Sequence, residues 1–378
     1  MIKLYNKFSS QLLIVFIVLF SSFLLYLPFL LRAGDWLGLK IFDSNMQHVY
    51  RNYDGPLYII AAKSFYDPAS IQKTGLELPL PAEYFAAHLP VYPFLIRLLG
   101  PALGYLKAML TVNLLASVLM GLFFYHLLKH LKISRNPLIL TISFMFLPRL
   151  YVVRSVGAPE SLFILLILLS LFFFEKEKFF WAGIFGGLSA MTKTPGVILF
   201  GAYFLVFIER YVRTKKVEWK GYLSVSLIPL GILAVFLIYL KQYGDFFAYF
   251  HSGDNFHLVT PFAAFNSLAK WVRSAWLEDI VFYFFIYALS LFYLRQLKYR
   301  SFYYFGATFF IATLFIQHRD IARYALPLWP LACIAFEKFF TSKKFLFALA
   351  LILPGIYLYA INFILSNTMP VANWKPFL

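Results

Sequence analysis

Apolar runs long enough to cross a bilayer recur along the whole chain, separated by short polar breaks. Run length and spacing predict about eleven membrane spans, near residues 11–32, 104–128, 137–153, 159–174, 179–192, 195–209, 221–240, 279–295, 301–317, 322–337 and 345–365. The first span follows Lys3 and Lys7, as the core of a signal peptide does. Its run from Leu12 to Leu31 is long, however, and no small-residue cleavage pattern follows, so it is expected to stay in the mature protein. The pair 179–192 and 195–209 is divided by Thr192-Lys193-Thr194-Pro195-Gly196, a helix-breaking sequence, with one kinked helix over 179–209 as the alternative if the parity of spans differs. Two longer intervals, 33–103 and 241–278, interrupt the rhythm. Both are rich in Phe, Tyr and Trp and lack the composition of a disordered linker, so they are expected to carry ordered half-helices packed along the membrane face. No fixed-period repeat or low-complexity tract appears, and residues 1–378 read as one all-α membrane domain.

Composition fixes the class. Apolar residues make up 61% of the chain and charged residues 13%, with a mean hydropathy of +0.74, so the protein is expected to be polytopic. A net charge of +17 would point to nucleic acid in a soluble protein, but its distribution argues otherwise. Basic residues cluster between apolar runs: Lys129, Lys132 and Arg135; Arg210, Arg213, Lys215, Lys216 and Lys220; Arg295, Lys298 and Arg300; Lys338, Lys343 and Lys344. With the N-terminus inside, every cluster falls on the cytoplasmic side, where orientation and anionic membrane lipids account for them and no nucleic acid is needed. The single cysteine, Cys333, excludes an internal disulfide framework and a cysteine-cluster metal site.

That topology leaves both long intervals on the extracytoplasmic face and places several charges there. Arginines are disfavoured in short external loops, yet Arg149, Arg154, Arg319 and Arg323 fall at that level, with Lys193 at the helix break. Such residues bind an anion, or they pair with Glu160, Glu278 or Asp320. Among the external carboxylates, Asp54 stands out in Tyr53-Asp54-Gly55-Pro56, at the start of a segment whose Leu57, Tyr58, Ala61, Ala62 and Phe65 recur at helical spacing. The segment is expected to lie on the membrane surface, where partial desolvation makes a carboxylate a stronger base toward a hydroxyl. Asp245, in Tyr243-Gly244-Asp245-Phe246-Phe247, is the second candidate. His251 and His257 flank Asp254, and His48 follows Asp43, but none has the close helical spacing of a zinc site. The chain has no G-x-x-x-x-G-K-[ST], G-x-G-x-x-G or G-x-S-x-G sequence, so nucleotide hydrolysis, dinucleotide chemistry and serine hydrolysis lack support, and the driving energy is assigned to the substrate.

The sequence from Tyr53-Asp54-Gly55 through Tyr58, Ile60-Ala61 and Tyr66 to Ala87-His88-Leu89-Pro90-Val91-Tyr92-Pro93 resembles the first external loop of GT-C glycosyltransferases, in particular the PIG-V-like branch that contains the second mannosyltransferase of GPI-anchor synthesis. Collinear segments extend the resemblance from about residue 43 to residue 336: Glu160-Ser161-Leu162-Phe163, then Gly186 to Val197, Tyr243 to Phe250, and Arg323-Tyr324-Ala325-Leu326-Pro327-Leu328-Trp329-Pro330. The resemblance implies a GT-C fold with two large extracytoplasmic loops. It also implies an enzyme that moves a hexose, usually mannose, from a polyprenyl-phosphate donor to an acceptor hydroxyl on a glycan, lipid or protein. It further implies Asp54 as the base, Asp245 as a second acidic position and Arg323 as a contact to the donor phosphate. The sequence departs from the family at Tyr53, where Trp is commoner, at Lys193, where Arg is commoner, at Phe246, where Pro often follows the aspartate, and at His88-Leu89, which replaces an aromatic pair. Lys193 offers a point charge in place of a planar fork.

Residue chemistry alone leads to a similar expectation. Inverting transfer needs a carboxylate to take the acceptor proton and cations to steady the departing phosphate. Asp54 is assigned the first role, and Arg323, Arg319 and Lys193 the second. Tyr58, His88, Tyr92, Glu160 and His251 are candidate sugar or acceptor contacts. No cofactor or metal is required, and a divalent ion bridging carboxylate and phosphate stands as the alternative. The expected location is a prokaryotic plasma membrane. The rival readings are a transporter or flippase of lipid-linked sugars and an assembly scaffold without chemistry.

Overall fold

A computed structural model describes residues 2–41, 44–76, 80–253, 258–265, 274–318 and 320–378. Arg319, Asp43, Asp254 and His257, singled out above, lie outside the described residues. The chain is almost entirely helical; the only strands among the described residues form a small hairpin, Asp35–Trp36 against Leu39–Lys40.

Among the described residues, six helices are long and apolar enough to cross a bilayer: Ser9–Leu30, Tyr105–His130, Thr194–Thr214, Trp219–Tyr243, Leu277–Leu294 and Lys343–Ser366. Other expected spans are shorter. The interval 137–153 is two helices, Pro137–Met145 and Pro148–Val153, parted before Pro148, whose ring disfavours helical backbone at the residue ahead of it. Glu160–Glu175 has 16 residues, nearly all buried. Inside lipid, helix association rests on close packing, and small residues allow it. A Cβ built on Gly183 would meet the Ser224 carbonyl oxygen at 2.0 Å, and one on Gly187 would meet that of Leu227 at 2.8 Å, so helix Phe179–Ala190 lies backbone to backbone against 224–231.

The expected break at 192–196 is a turn between two helices. Lys193 is extended (φ −149°, ψ 133°), and the chain then folds back so tightly that a Cβ on Gly196 would sit 2.4 Å from the Ala190 nitrogen. This turn belongs to one end of the molecule; the basic clusters belong to the other. Ser134 and the Arg135 amide donate to Glu337, the Tyr299 hydroxyl to the Leu131 carbonyl, and Arg300 to Glu209, which ties loops from all four clusters together. Glu175 accepts from the Ser301 amide at that end, while Glu160 opens the same helix at the other, about 22 Å away at 1.5 Å per residue.

Two hydrophobic clusters meet at the Glu160 end. One gathers most of the long helices. The second is built by interval 33–103 packed on Tyr105–His130, with Leu57, Ile59, Ile60, Phe85, Tyr92 and Ile96 buried in it. Here an expectation is corrected: helix Gly55–Ser64 does not lie on a membrane surface. Nine of its ten residues are buried, because Ile59, Ile60 and Ala62 leave it no polar face, and Lys63 turns outward to the carbonyls of Pro376 and Leu378.

Candidate functional site

Four charged side chains from distant parts of the chain converge where the two clusters meet. Glu160, at the start of its helix and 2% exposed, accepts on one carboxylate oxygen from Arg323 Nε at 2.7 Å and from Lys193 Nζ at 2.8 Å. Arg323 stands on the short helix Ile321–Tyr324, whose tight turn is closed by the Arg323 amide donating to the Asp320 carbonyl. Its Nη1 lies 3.8 Å from Asp54 Oδ2, wider than a hydrogen bond, so the Asp54 carboxylate is not committed to it. Asp54 occupies the position before helix Gly55–Ser64 but makes no side-chain cap, and its side chain remains 42% exposed. The desolvated base expected from the sequence is therefore half open to solvent.

Tyr53 links this quartet to a second ion pair. Its backbone is left-handed (φ 50°), a conformation that costs a tyrosine about 1–3 kcal/mol, and it is held there by the Tyr53 amide donating to the Asn367 carbonyl and by the Asn52–Thr368 bridge. The ring carries the Arg323 guanidinium 4.0 Å from its centre, and the hydroxyl accepts from Arg149 Nη1 at 3.0 Å. Arg149 also pairs with Asp320 at 3.2 Å. Arg154 does not join them. It is fully buried among Ser21, Ser22 and the Val18 carbonyl, a packing role and not an external anion site.

Two cavities share the wall formed by Lys193, Thr194, Pro195, Tyr249, Arg323 and Tyr324. The larger, about 500 Å3, runs between Phe163, Ile164, Ile198, Ile232, Phe236 and Phe309 and is mostly apolar, with its charged lining confined to Glu160, Lys193 and Arg323. The smaller is polar and contains Asp54, Tyr58, His88 and Thr192. His88 packs edge-on against Tyr58 at 4.8 Å, and burial pulls its imidazole down to about 4, against the opposing pull of Asp54. An apolar trough with cations at one end, opening into a polar chamber with a carboxylate, suits an amphiphile with an anionic junction.

The sequence-predicted residues divide accordingly. Asp54, Arg323, Lys193, Glu160, Tyr58 and His88 come together. Tyr92 sits behind Tyr58, its hydroxyl spent on the Met109 carbonyl, and lines neither cavity. Asp245 and His251 bond each other at 2.6 Å on the surface, outside both cavities, because the Asp245 carboxylate also receives the Phe247 amide and turns away. Glu160, expected as a sugar contact, is the counter-ion that holds two cations side by side. Tyr249, Tyr324 and Thr194 were not singled out. Tyr249 and Thr194 bond through their hydroxyls at 2.8 Å in the shared wall, a pairing across 55 residues that no local pattern signals.

No family model matches the sequence, and no curated protein matches it. Among solved structures, the crystal structure of the Archaeoglobus fulgidus oligosaccharyltransferase in the apo form aligns over 96% of this chain and 57% of that protein, with a TM-score of 0.54 and 14% identity. The chain thus spans a little over half the length of that structure. At this identity the likeness is one of fold; it agrees with the architecture expected above and does not distinguish one branch from another. The chain is a helical membrane protein that shares its fold with this oligosaccharyltransferase.

Proposed function

We propose that the protein is a membrane glycosyltransferase that moves a hexose, mannose by the sequence resemblance, from a polyprenyl-phosphate donor to an acceptor hydroxyl. The observation that carries this reading is the wall shared by the two cavities. A prenyl tail fits the apolar trough, its phosphate meets Lys193 and Arg323 at the trough's polar end, and the sugar enters the chamber beside Asp54 and His88. The acceptor oxygen attacks the anomeric carbon while the bond from that carbon to the phosphate oxygen breaks. The bonding pair leaves on the phosphate, Asp54 takes the acceptor proton, and the anomeric configuration inverts. Arg323 and Lys193 oppose the charge that grows on the leaving phosphate. The exposure of Asp54 supports this role, since an acceptor must reach it. The gathering of basic loops at the far end supports an extracytoplasmic site in a plasma membrane, with about eleven spans counting the short helices. The shared fold with an oligosaccharyltransferase is consistent with sugar transfer.

The test is Asp54→Asn in purified protein, with folding verified by thermal unfolding, and labelled mannose transfer measured from polyprenyl-phosphate mannose. Loss of about 100-fold or more is expected for removal of a general base; near-normal turnover rejects Asp54 in that role.

A further inference from the structure

A second trough, about 520 Å3, lies on the other side of the Ile321–Tyr324 helix, between the membrane helices Leu277–Leu294 and Lys343–Ser366. Ile352, Ile356 and Tyr359 form a stripe along one face of the latter helix, and the next turn carries Phe363, which packs on Tyr53 at 5.5 Å and under Arg149 at 4.2 Å. The stripe therefore climbs from apolar depth toward the residue preceding Asp54. The trough opens toward lipid: Phe282 and Ile352 on its two sides are 58% and 59% exposed.

The charges at its upper end differ from those of the first trough. Arg149 and Asp279 line it and their charges cancel; Asp320, which pairs with Arg149, is not among the lining residues. Arg149 keeps a buried Nε without a hydrogen-bond partner among the described residues. Tyr283 and Tyr359 lie within electrostatic reach of all three. In the first trough, by the same count of lining groups, Glu160, Lys193 and Arg323 leave +1, which Asp54 offsets from the neighbouring chamber. A phosphate meets an unbalanced positive charge in the lining of the first and none in that of the second, whereas a carboxylate, an arginine N–H and tyrosine rings suit the hydroxyls and apolar faces of an uncharged sugar or polyol. We infer that the second trough binds the tail of a lipid with an uncharged, polyhydroxylated head, and presents that head past Tyr53 to Asp54. The inference rests on the transferase reading for the lipid's role as acceptor; the binding itself does not.

Gly355 provides the means to test it, because a Cβ there meets nothing within 4 Å and a longer side chain would project into the trough while favouring the helix. The full chain in phosphatidylcholine nanodiscs is photolabelled with three probes that share one diazirine-bearing alkyl tail and differ in head: glucoside, phosphate and trimethylammonium. The glucoside is expected to label peptides carrying Phe282 or Ile352, and Gly355→Leu is expected to abolish that labelling. The phosphate probe should label the Phe236 region in both proteins, which also shows that the variant is folded. Should the variant lose both labels, Asp279→Asn decides, since it is expected to weaken glucoside labelling alone. Glucoside labelling that survives both substitutions, or stronger labelling of this trough by either charged probe, overturns the inference. None of these outcomes depends on turnover, so the failure of sugar transfer would be read separately in the Asp54→Asn assay.

Discussion

Replacing Glu160 with glutamine is the sharpest test of the site, because the substitution keeps the shape and removes one charge from a buried balance. In the native quartet, Glu160 and Asp54 offset Arg323 and Lys193. Glu160 accepts from both cations at 2.7 and 2.8 Å while only 2% exposed, whereas Asp54 is 3.8 Å from Arg323 and 42% exposed. The buried carboxylate therefore carries most of the compensation. Removing one partner of a buried pair costs about 3–5 kcal/mol, most of it the penalty of leaving the other charge unpaired. Glu160→Gln should destabilise the protein by that amount, and Glu160→Gln/Lys193→Met should recover a large part, since the double variant restores neutrality. Cys333, the only cysteine and fully buried, makes the assay direct: a thiol-reactive dye reports its exposure on heating in detergent. If the single variant melts with the parent, or the double variant is worse than the single, the charge-balance argument is wrong.

Three further outcomes are expected. Arg323→Lys forfeits the bond from Nε to Glu160 and the planar face over Tyr53, so transfer should fall roughly 30-fold, about 2 kcal/mol, as measured by kcat/KM for the lipid donor. Ala312→Trp, in the wall of the first trough, should raise KM for a long-chain prenyl donor more than for a short-chain one, as competition assays with both donors would report. His88 is held neutral by burial, down to about 4 from 6.5, so between those values the unfolded chain binds more protons than the folded one. Stability should then decline by about 3 kcal/mol as pH falls through that window, and His88→Gln should flatten the decline in denaturant titrations.

What could be read from the sequence was the identity of the charged groups, not their partners. Asp54, Glu160, Lys193 and Arg323 stand out because charges at membrane level demand an explanation. Which carboxylate neutralises which cation depends on contacts between residues as far apart as 160 and 323, so Glu160 was placed with the sugar ligands. Asp245 resembled Asp54 in its aromatic setting, but its carboxylate is used up locally by His251 and the Phe247 amide. The helix after Asp54 was read as surface-bound from residues three and four apart. Ile59 and Ile60, on the opposite side, carried the contrary signal. The break at 192–196 was legible because Pro195 and Gly196 act locally. The second trough was not, since it exists only between two helices that each read as ordinary spans.

The arrangement of the quartet bears on how a phosphate could be received at all. Two cations placed side by side without an anion would repel each other and turn apart, and two cations each locked in its own bidentate pair would have fewer donors and no uncompensated charge left to offer. Glu160 avoids both outcomes by accepting from both on a single oxygen while its other oxygen, buried, has no partner among the described residues. Arg323 thus spends its Nε and keeps both Nη groups, and Lys193 spends one N–H of three. The remaining donors face the wall where the apolar trough meets the polar chamber. A bound phosphate would then complete a pattern already neutral at rest. On this argument Glu160→Asp, one methylene shorter, should separate the cations while leaving the charge count unchanged. It should lower donor affinity in equilibrium binding while sparing stability more than Glu160→Gln does. Equal affinity in Glu160→Asp and the parent would show that charge alone, and not its placement on one oxygen, prepares the site.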